Sequence, residues 1–389
     1  MAMIPYGRQD ITQTDIDAVV KVLQSDLLTQ GPVVPVFENT ISNYCGAKYA
    51  VAVNSATSAL HIACLALGVG KGDIVWTSPI TFVASSNCAL YCGASVDFVD
   101  IDPLTFNLSL DSLEEKLASA SKFGKLPKVL IPVHLCGQSC DMAGIYALSQ
   151  QYGFKIIEDA SHALGGKYKA EAIGNCRFSD ITVFSFHPVK IITTAEGGMV
   201  LTNNANLANK LALYRSHGIT RDSALMTHSS DGPWYYQQIE LGFNYRMTEI
   251  QAALGVSQMT RLDTYVARRH ELARRYEKLL SFLPITIPWQ HSDTYSAMHL
   301  YTIRLQLNKI SQSHLQVFNS LREQGIGVNL HYIPVPSQPY YQRLGFKPDD
   351  YPNAKAYYKE AISLPMYPTL LENQQDQVIV ALEKALLCG

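Results

Sequence analysis

Asp180-Ile181-Thr182-Val183-Phe184-Ser185-Phe186-His187-Pro188-Val189-Lys190, followed by Ile191-Ile192-Thr193-Thr194-Ala195-Glu196-Gly197-Gly198, is the stretch on which the reading of this chain turns. Its β-branched run predicts a buried strand ending on the Ser185 hydroxyl, and the paired glycines predict tight backbone before a second strand, Met199-Val200-Leu201-Thr202. Lys190 then sits on a loop held between two rigid elements. An amine so placed can shed its water and stay partly neutral, the state it needs to condense with an aldehyde. A lone lysine in a hairpin is otherwise an ordinary surface group, so the rest of the chain has to decide.

Outward from this stretch, strands and helices alternate. Upstream, Val51-Ala52-Val53-Asn54 runs into Ser55-Ala56-Thr57-Ser58-Ala59-Leu60, where hydroxyls precede an apolar helix. Asp73-Ile74-Val75-Trp76-Thr77, Ser95-Val96-Asp97-Phe98-Val99, Lys128-Val129-Leu130-Ile131-Pro132-Val133 and Lys155-Ile156-Ile157-Glu158-Asp159 read as further strands. Helices are predicted from near Phe82 and over 113–118 and 142–152. This order gives right-handed crossovers and a mostly parallel central sheet with helices on both faces, with ligands beyond the carboxyl ends of the strands. Thr57, Phe82, Asp159, Ser185 and Lys190 all fall at or just past such ends.

At the N-terminal end an amphipathic helix over 15–25 precedes the turn-forming Leu27-Leu28-Thr29-Gln30-Gly31-Pro32. A long helical stretch over 248–280, interrupted at Gly255, leads to a change of order: strand 300–305, helix 315–323, strand 327–331 and closing helices. The expectation is a large α/β domain over 1–255 and a smaller α+β domain over 256–389.

Charged residues make up 16% of the 389, against about 25% in ordinary soluble domains, and 47% are apolar. That balance predicts a homo-oligomer, which hides more surface than a monomer can. A net charge of −2 with no basic block leaves no footprint for nucleic acid or an anionic membrane. No window approaches the run of about 18 apolar residues that a membrane span needs, and the start lacks a signal-peptide core, so a cytoplasmic protein is expected. Cys88 with Cys92 and Cys136 with Cys140 lack the two-residue zinc-type spacing, so the eight cysteines read as thiols and no metal site is expected.

Pyridoxal phosphate needs a lysine for its aldehyde, a carboxylate to keep its ring nitrogen protonated, a phosphate cradle and a flat group on the ring face. Each part has a candidate, and each candidate has a plainer reading. Hydroxyls at 55–58 either cap a helix or, with the helix dipole, cradle an anion. Asp159 either caps the following segment or faces a ring nitrogen. Phe82 is either core or a ring stacker, and Ser185 either bonds backbone or touches phosphate.

Ser55-Ala56-Thr57-Ser58-Ala59-Leu60, Glu158-Asp159-Ala160-Ser161-His162-Ala163, Ser185-Phe186 with Lys190, Glu196-Gly197-Gly198 and Gly242-Phe243-Asn244-Tyr245-Arg246-Met247 together resemble the nucleotide-sugar aminotransferase family, in order and over nearly the whole chain. The resemblance implies the fold type I class of pyridoxal-phosphate enzymes and a homodimer with shared active sites. It implies that Lys190 holds the cofactor aldehyde, Asp159 pairs with the ring nitrogen, and Thr57, Ser58 and Ser185 hold the phosphate. Phe82 would stack on the ring, His162 would lie by the ring hydroxyl, and Asn244 would reach the partner subunit's phosphate.

Two positions depart from the family pattern. His162 stands where glutamine is usual, and Ala195 where glycine is usual. Within the family, Ser185-Phe186-His187-Pro188-Val189-Lys190 and Gly232-Pro233-Trp234-Tyr235-Tyr236 most resemble the branch that aminates a UDP-linked 4-keto-6-deoxy-N-acetylhexosamine in pseudaminic acid synthesis, with L-glutamate as donor. Tyr6, Leu28, Thr29, Gln30, Gly31, His331 and Tyr332 match that branch's sugar-nucleotide segments, although His331 and Tyr332 alone read as strand-end core residues. An aminotransferase for another keto sugar and a non-catalytic regulator of the same fold stay open. A sugar 3-dehydratase of this fold would carry histidine in place of Lys190, and a nicotinamide oxidoreductase would need a glycine-rich turn that Asn54-Ser55-Ala56-Thr57-Ser58 lacks.

Overall fold

A computed structural model describes residues 3–387. The chain opens with helices α1 (Gln13–Leu23) and α2 (Val33–Cys45), then enters strand β1 (Tyr49–Val53) and helix α3 (Ala56–Ala66). Strand β2 (Ile74–Thr77), helix α4 (Ala84–Tyr91), strand β3 (Ser95–Phe98), helix α5 (Leu110–Lys122), strand β4 (Val129–Ile131), helix α6 (Met142–Tyr152) and strand β5 (Lys155–Asp159) follow. β6 (Ile181–Ser185) and β7 (Gly198–Thr202) complete a seven-stranded sheet in the order β1-β7-β6-β5-β4-β2-β3, and helix α7 (Ala205–Arg215) follows.

The sheet is parallel from β3 through β6, as the alternation predicts. β7 runs antiparallel to both β1 and β6, because the connection over 186–197 holds no helix to carry the chain back across the sheet. Lys190 rides in that return loop. Alternate strand residues feed opposite faces: Val51, Val53, Val183 and Val200 meet α3 and α4, whereas Ala52, Phe184, Met199 and Leu201 meet α2 and α8 (Glu249–Met259). Helices therefore cover both faces.

Two expectations from the sequence are corrected. The helical stretch over 248–280 breaks not at Gly255 but at Thr260 and Arg261, between α8 and α9 (Leu262–Leu280). Arg261 leaves helical geometry there and its guanidinium donates to Asp15 at 2.6 Å. Gly255 sits inside α8, where a Cβ would meet the Phe37 ring at 2.6 Å, so the glycine serves close packing against α2. The strand predicted over 327–331 does not form either. Its backbone is taken up by the N-terminal segment, with Gly327 N–H donating to Ile4 O at 2.7 Å, and only Asn329 bridges a strand, through Ser363.

The C-terminal part has its own three-stranded antiparallel sheet, β8 (Ile285–Thr286), β9 (Tyr301–Leu305) and β10 (Ala361–Leu364). Its core joins Leu272 and Tyr276 of α9 to Val317 and Leu321 of α10 (His314–Glu323) and takes in Ile4 from the start of the chain. Tyr341, Tyr351 and Tyr357 cross over to pack in the core of the large sheet. The N-terminal crossing brings the Tyr6 ring to 5.0 Å from that of His331.

Candidate active site

A cavity of about 520 Å³ opens at the carboxyl ends of β1, β5 and β6, where the parallel topology places ligands. Nine residues chosen from the sequence line it: Tyr6, Thr57, Phe82, Asp159, His162, Ser185, Lys190, His331 and Tyr332. They come from widely separated parts of the chain.

Lys190 is presented by a loop pinned on both sides. Phe186 is fully buried, donates its N–H to Gly197 O at 2.9 Å, and accepts through its carbonyl from Thr193 Oγ1 and Thr194 N, each at 3.0 Å. Burial brings the lysine pKa down to about 8, against the opposing pull of the Asp159 charge. Near neutral pH an appreciable fraction of this amine is uncharged, far more than for a lysine in water.

Asp159 is 5% exposed and its carboxylate is held by side chains that the sequence reading missed. Ser85 Oγ donates to Oδ2 at 2.6 Å, while Ser161 donates to Oδ1 through Oγ at 2.5 Å and N–H at 3.1 Å. Thr81 Oγ1 lies 2.7 Å from Ser85 Oγ and extends the network. A carboxylate with both oxygens engaged keeps its orientation. Nothing in the local sequence marks Ser85, which enters only because α4 packs its first turn over the end of β5.

The N-terminus of α3 forms the second corner. Ser55 caps it, accepting from Ser58 N at 3.1 Å. Ala56 and Thr57, whose N–H groups lie in the first turn and have no partner inside the helix, line the cavity. This close turn exists because residue 198 is glycine: a Cβ there would lie 2.6 Å from Ser55 C and 2.7 Å from Ala56 N. Ser58 lies outside the cavity lining. Its hydroxyl turns back to Asn54 Oδ1 at 2.7 Å and to Ser55 Oγ at 3.0 Å.

Three imidazoles, His162, His299 and His331, form the opposite wall. Burial and the nearby Lys190 charge hold all three below the ordinary histidine range, His331 at about 3, so the wall is neutral. The His162 and His299 ring centroids are 4.4 Å apart, and the buried Nδ1 of His299 has no hydrogen-bond partner among the described residues. Phe82 is 58% exposed, which leaves its ring open to the cavity rather than in the core, 6.2 Å from the Tyr332 ring.

Leu28, Thr29, Gln30, Gly31 and Asn244 lie outside this cavity. The buried Glu249 carboxylate accepts from Gly31 N at 3.0 Å and Val33 N at 2.6 Å, and Thr29 bridges Thr248, so the loop is firmly held while its side chains face outward. Asn244 is likewise exposed, bridged through its backbone to Ser216.

A lysine shifted to about 8, a doubly anchored carboxylate, and open N–H groups over a glycine that leaves room for no Cβ are the donor set that pyridoxal phosphate requires. Fold and site together define a pyridoxal-phosphate-dependent transferase of the fold type I class.

Comparison with known proteins narrows this class. The model of the DegT/DnrJ/EryC1/StrS aminotransferase family matches residues 9–383. A spore coat polysaccharide biosynthesis protein, SpsC, of Bacillus subtilis is 39% identical over 97% of this chain and 96% of its own. The UDP-4-amino-4,6-dideoxy-N-acetyl-β-L-altrosamine transaminase of Campylobacter jejuni is also 39% identical, over 94% of this chain and 93% of its own. Among solved structures, Helicobacter pylori PseC, an aminotransferase involved in the biosynthesis of pseudoaminic acid, superposes with a TM-score of 0.90 at 30% identity, over 99% of both chains. The chain belongs to the DegT/DnrJ/EryC1/StrS aminotransferase family and is a nucleotide-sugar aminotransferase dependent on pyridoxal phosphate.

Proposed function

We propose that the chain transfers the amino group of L-glutamate to the C4 ketone of a UDP-linked 4-keto-6-deoxy-N-acetylhexosamine, giving UDP-4-amino-4,6-dideoxy-N-acetyl-β-L-altrosamine. The likeness to the Campylobacter transaminase over 94% of the chain is the observation that carries this choice of sugar.

When bound, pyridoxal phosphate supplies the aldehyde and electron-withdrawing ring on which an amino group is carried from donor to acceptor. Lys190 would hold the aldehyde, and its amine, with a pKa near 8, can take and return a proton at its Nζ beside that carbon. Asp159, fixed by Ser85 and Ser161, would face the ring nitrogen and favour its protonated form. Thr57, Ser185 and the first turn of α3 would hold the phosphate, with Ser58 acting through the cap, and Phe82 would cover the ring. Tyr6, His331 and Tyr332 bound the sugar side.

The working unit is a homodimer in the cytoplasm, with residues 1–255 as the cofactor domain and 256–389 as the smaller domain. Two observations support the dimer. Among the described residues, Lys190 is the only lysine or arginine on the cavity wall, too little positive charge for a phosphate and a nucleoside diphosphate together. Apolar side chains, among them Ile16, Val20, Leu23 and Leu27, stand exposed on and just beyond α1, beside an apolar groove between α1 and α8. A second copy seated on this face brings Leu28 to Gly31 and Asn244 to the open side of the partner's cavity.

The test is amination of a panel of UDP- and dTDP-linked 3-keto and 4-keto sugars with L-glutamate, with products identified by nuclear magnetic resonance. The UDP-4-keto-6-deoxy-β-L-arabino sugar should be aminated at C4 with the highest kcat/KM. Turnover of a different keto sugar alone overturns this choice and leaves the family activity standing.

A further inference from the structure

Where α3 packs on α4, three thiols meet. Cys64 of α3 and Cys88 of α4 are fully buried with their sulfurs 3.7 Å apart. Cys64 also hydrogen-bonds to Cys92, the residue that caps the C-terminus of α4. Positions 88 and 92 are four apart and share one side of that helix, so a single thiol on α3 reaches both.

Access separates the three. Cys64 and Cys88 see no solvent, whereas Cys92 is half-buried beside the exposed Tyr91. The Cys92 sulfur lies 4.0 Å from the His61 carbonyl oxygen, at the outer limit for a sulfur hydrogen bond. With the Cys88 proton turned to Ser85 O, 3.3 Å away, the proton shared among the sulfurs is that of Cys64. The bond from Cys64, helped by His61, brings the Cys92 thiol down to about 6 against its partial burial, while Cys88, Cys92 and burial hold Cys64 well above the ordinary thiol range. Unpaired carbonyls at the end of α4 oppose a negative charge there, so the Cys64 donor is what makes Cys92 a thiolate near neutral pH.

Among the described cysteines no other combines access with a thiol neighbour. Cys45, Cys140 and Cys176 are buried. The half-buried Cys136 faces Thr302 Oγ1 at 3.5 Å, and burial pushes its thiol up to about 11.

We propose that Cys92 and Cys64 form a dithiol that hydroperoxides oxidise to a disulfide joining the end of α4 to α3. The Cys92 thiolate attacks a peroxide oxygen, forming an S–O bond as the O–O bond breaks, and the departing hydroxide or alkoxide takes a proton from solvent. Cys64 then attacks the Cys92 sulfur. An S–S bond forms, the S–O bond breaks, and the released hydroxide leaves as water with the Cys64 proton. Two electrons thus pass from the thiol pair to the peroxide. Nothing in this step depends on what the cavity binds.

The test exposes the full-length, cofactor-loaded protein to a slight excess of hydrogen peroxide, then unfolds it, alkylates the remaining thiols and maps the cysteines by mass spectrometry. The parent should lose Cys64 and Cys92 together and yield their peptides cross-linked, a link that dithiothreitol reverses. Cys92→Ser should leave Cys64 free to be alkylated. Cys64→Ser, which keeps a hydroxyl donor, should stop at a Cys92 sulfenic acid that a cyclic 1,3-diketone traps, and Cys64→Ala, which has no donor, should form that adduct more slowly. Cys88→Ser should cross-link as the parent does.

The parent map alone decides the main claim, whatever the folding of the variants. A parent in which Cys64 and Cys92 stay alkylatable, or a bridge that uses Cys88 in place of Cys92, overturns the proposal. Loss of Cys64 in Cys92→Ser at the parent rate overturns the entry of peroxide through Cys92.

Discussion

Two regions picked out by the same motifs end in opposite surroundings. Tyr6, Thr57, Asp159, His162, Ser185, Lys190, His331 and Tyr332 converge on one cavity, while Leu28 to Gln30 and Asn244 stand on an exposed ledge. The ledge is no loose loop, since the buried Glu249 holds its backbone as firmly as Ser85 and Ser161 hold Asp159. A rigid, outward-facing segment presents its side chains to something outside the chain. The cavity wall, carrying a single Lys or Arg, lacks the cations its ligands call for. What one region lacks, a second copy of the other can bring.

The largest expected effect is at the cavity. Lys190→Ala should abolish both the visible cofactor band and turnover; persistence of either breaks the assignment. The ledge is tested by mixing Lys190→Ala with Asn244→Ala protein after separate purification and subunit exchange. If each site is built from two chains, half of the random dimers regain one intact site and activity recovers to about a quarter of the parent level. Mixtures no more active than their components would contradict the shared site.

Smaller effects sharpen the contrast. Glu249→Ala strands the backbone donors of the ledge and should cost about 2–4 kcal/mol in urea unfolding. Equal stability with unchanged activity would show that the ledge needs no anchor. Lys190→Met should raise the Tm of the cofactor-free protein below pH 8, because folding holds the lysine pKa below its unfolded value and so penalises the protonated chain. The difference should shrink as pH rises from about 8 to about 10.4, where both states of the parent lose the charge. A constant difference would mean that the amine is not desolvated.

The smallest effect belongs to Ala195. Its φ of 63 is left-handed, so its methyl group strains the loop after Lys190, and Ala195→Gly should stabilise the protein by about 0.5–1 kcal/mol. Destabilisation would show that the strain is relieved elsewhere.

Much of the cavity was legible because its chemistry sits at strand ends, where composition and topology coincide. Asp159 closes β5, Ser185 closes β6, and the glycines after Lys190 mark the close approach that the Ser55 turn then shows. Interactions across the chain were not legible. Nothing adjacent in sequence announces that Ser85 caps Asp159, that the Cys136 N–H donates to His162, or that Ile4 occupies the backbone over 325–327 and prevents a strand. Gly255 misled for the same reason: its neighbour Phe37 lies more than two hundred residues away in the chain, so close packing passed for a helix break.

The visible spectrum of the purified protein, before and after L-glutamate, tests the lysine-centred site most directly. The untreated protein should absorb near the band of a lysine-bound aldehyde cofactor, and L-glutamate should replace that band with the shorter-wavelength absorbance of pyridoxamine phosphate while releasing 2-oxoglutarate. A protein that takes up pyridoxal phosphate without such a band, or a band that no amino donor alters, would contradict an aminotransferase built on Lys190.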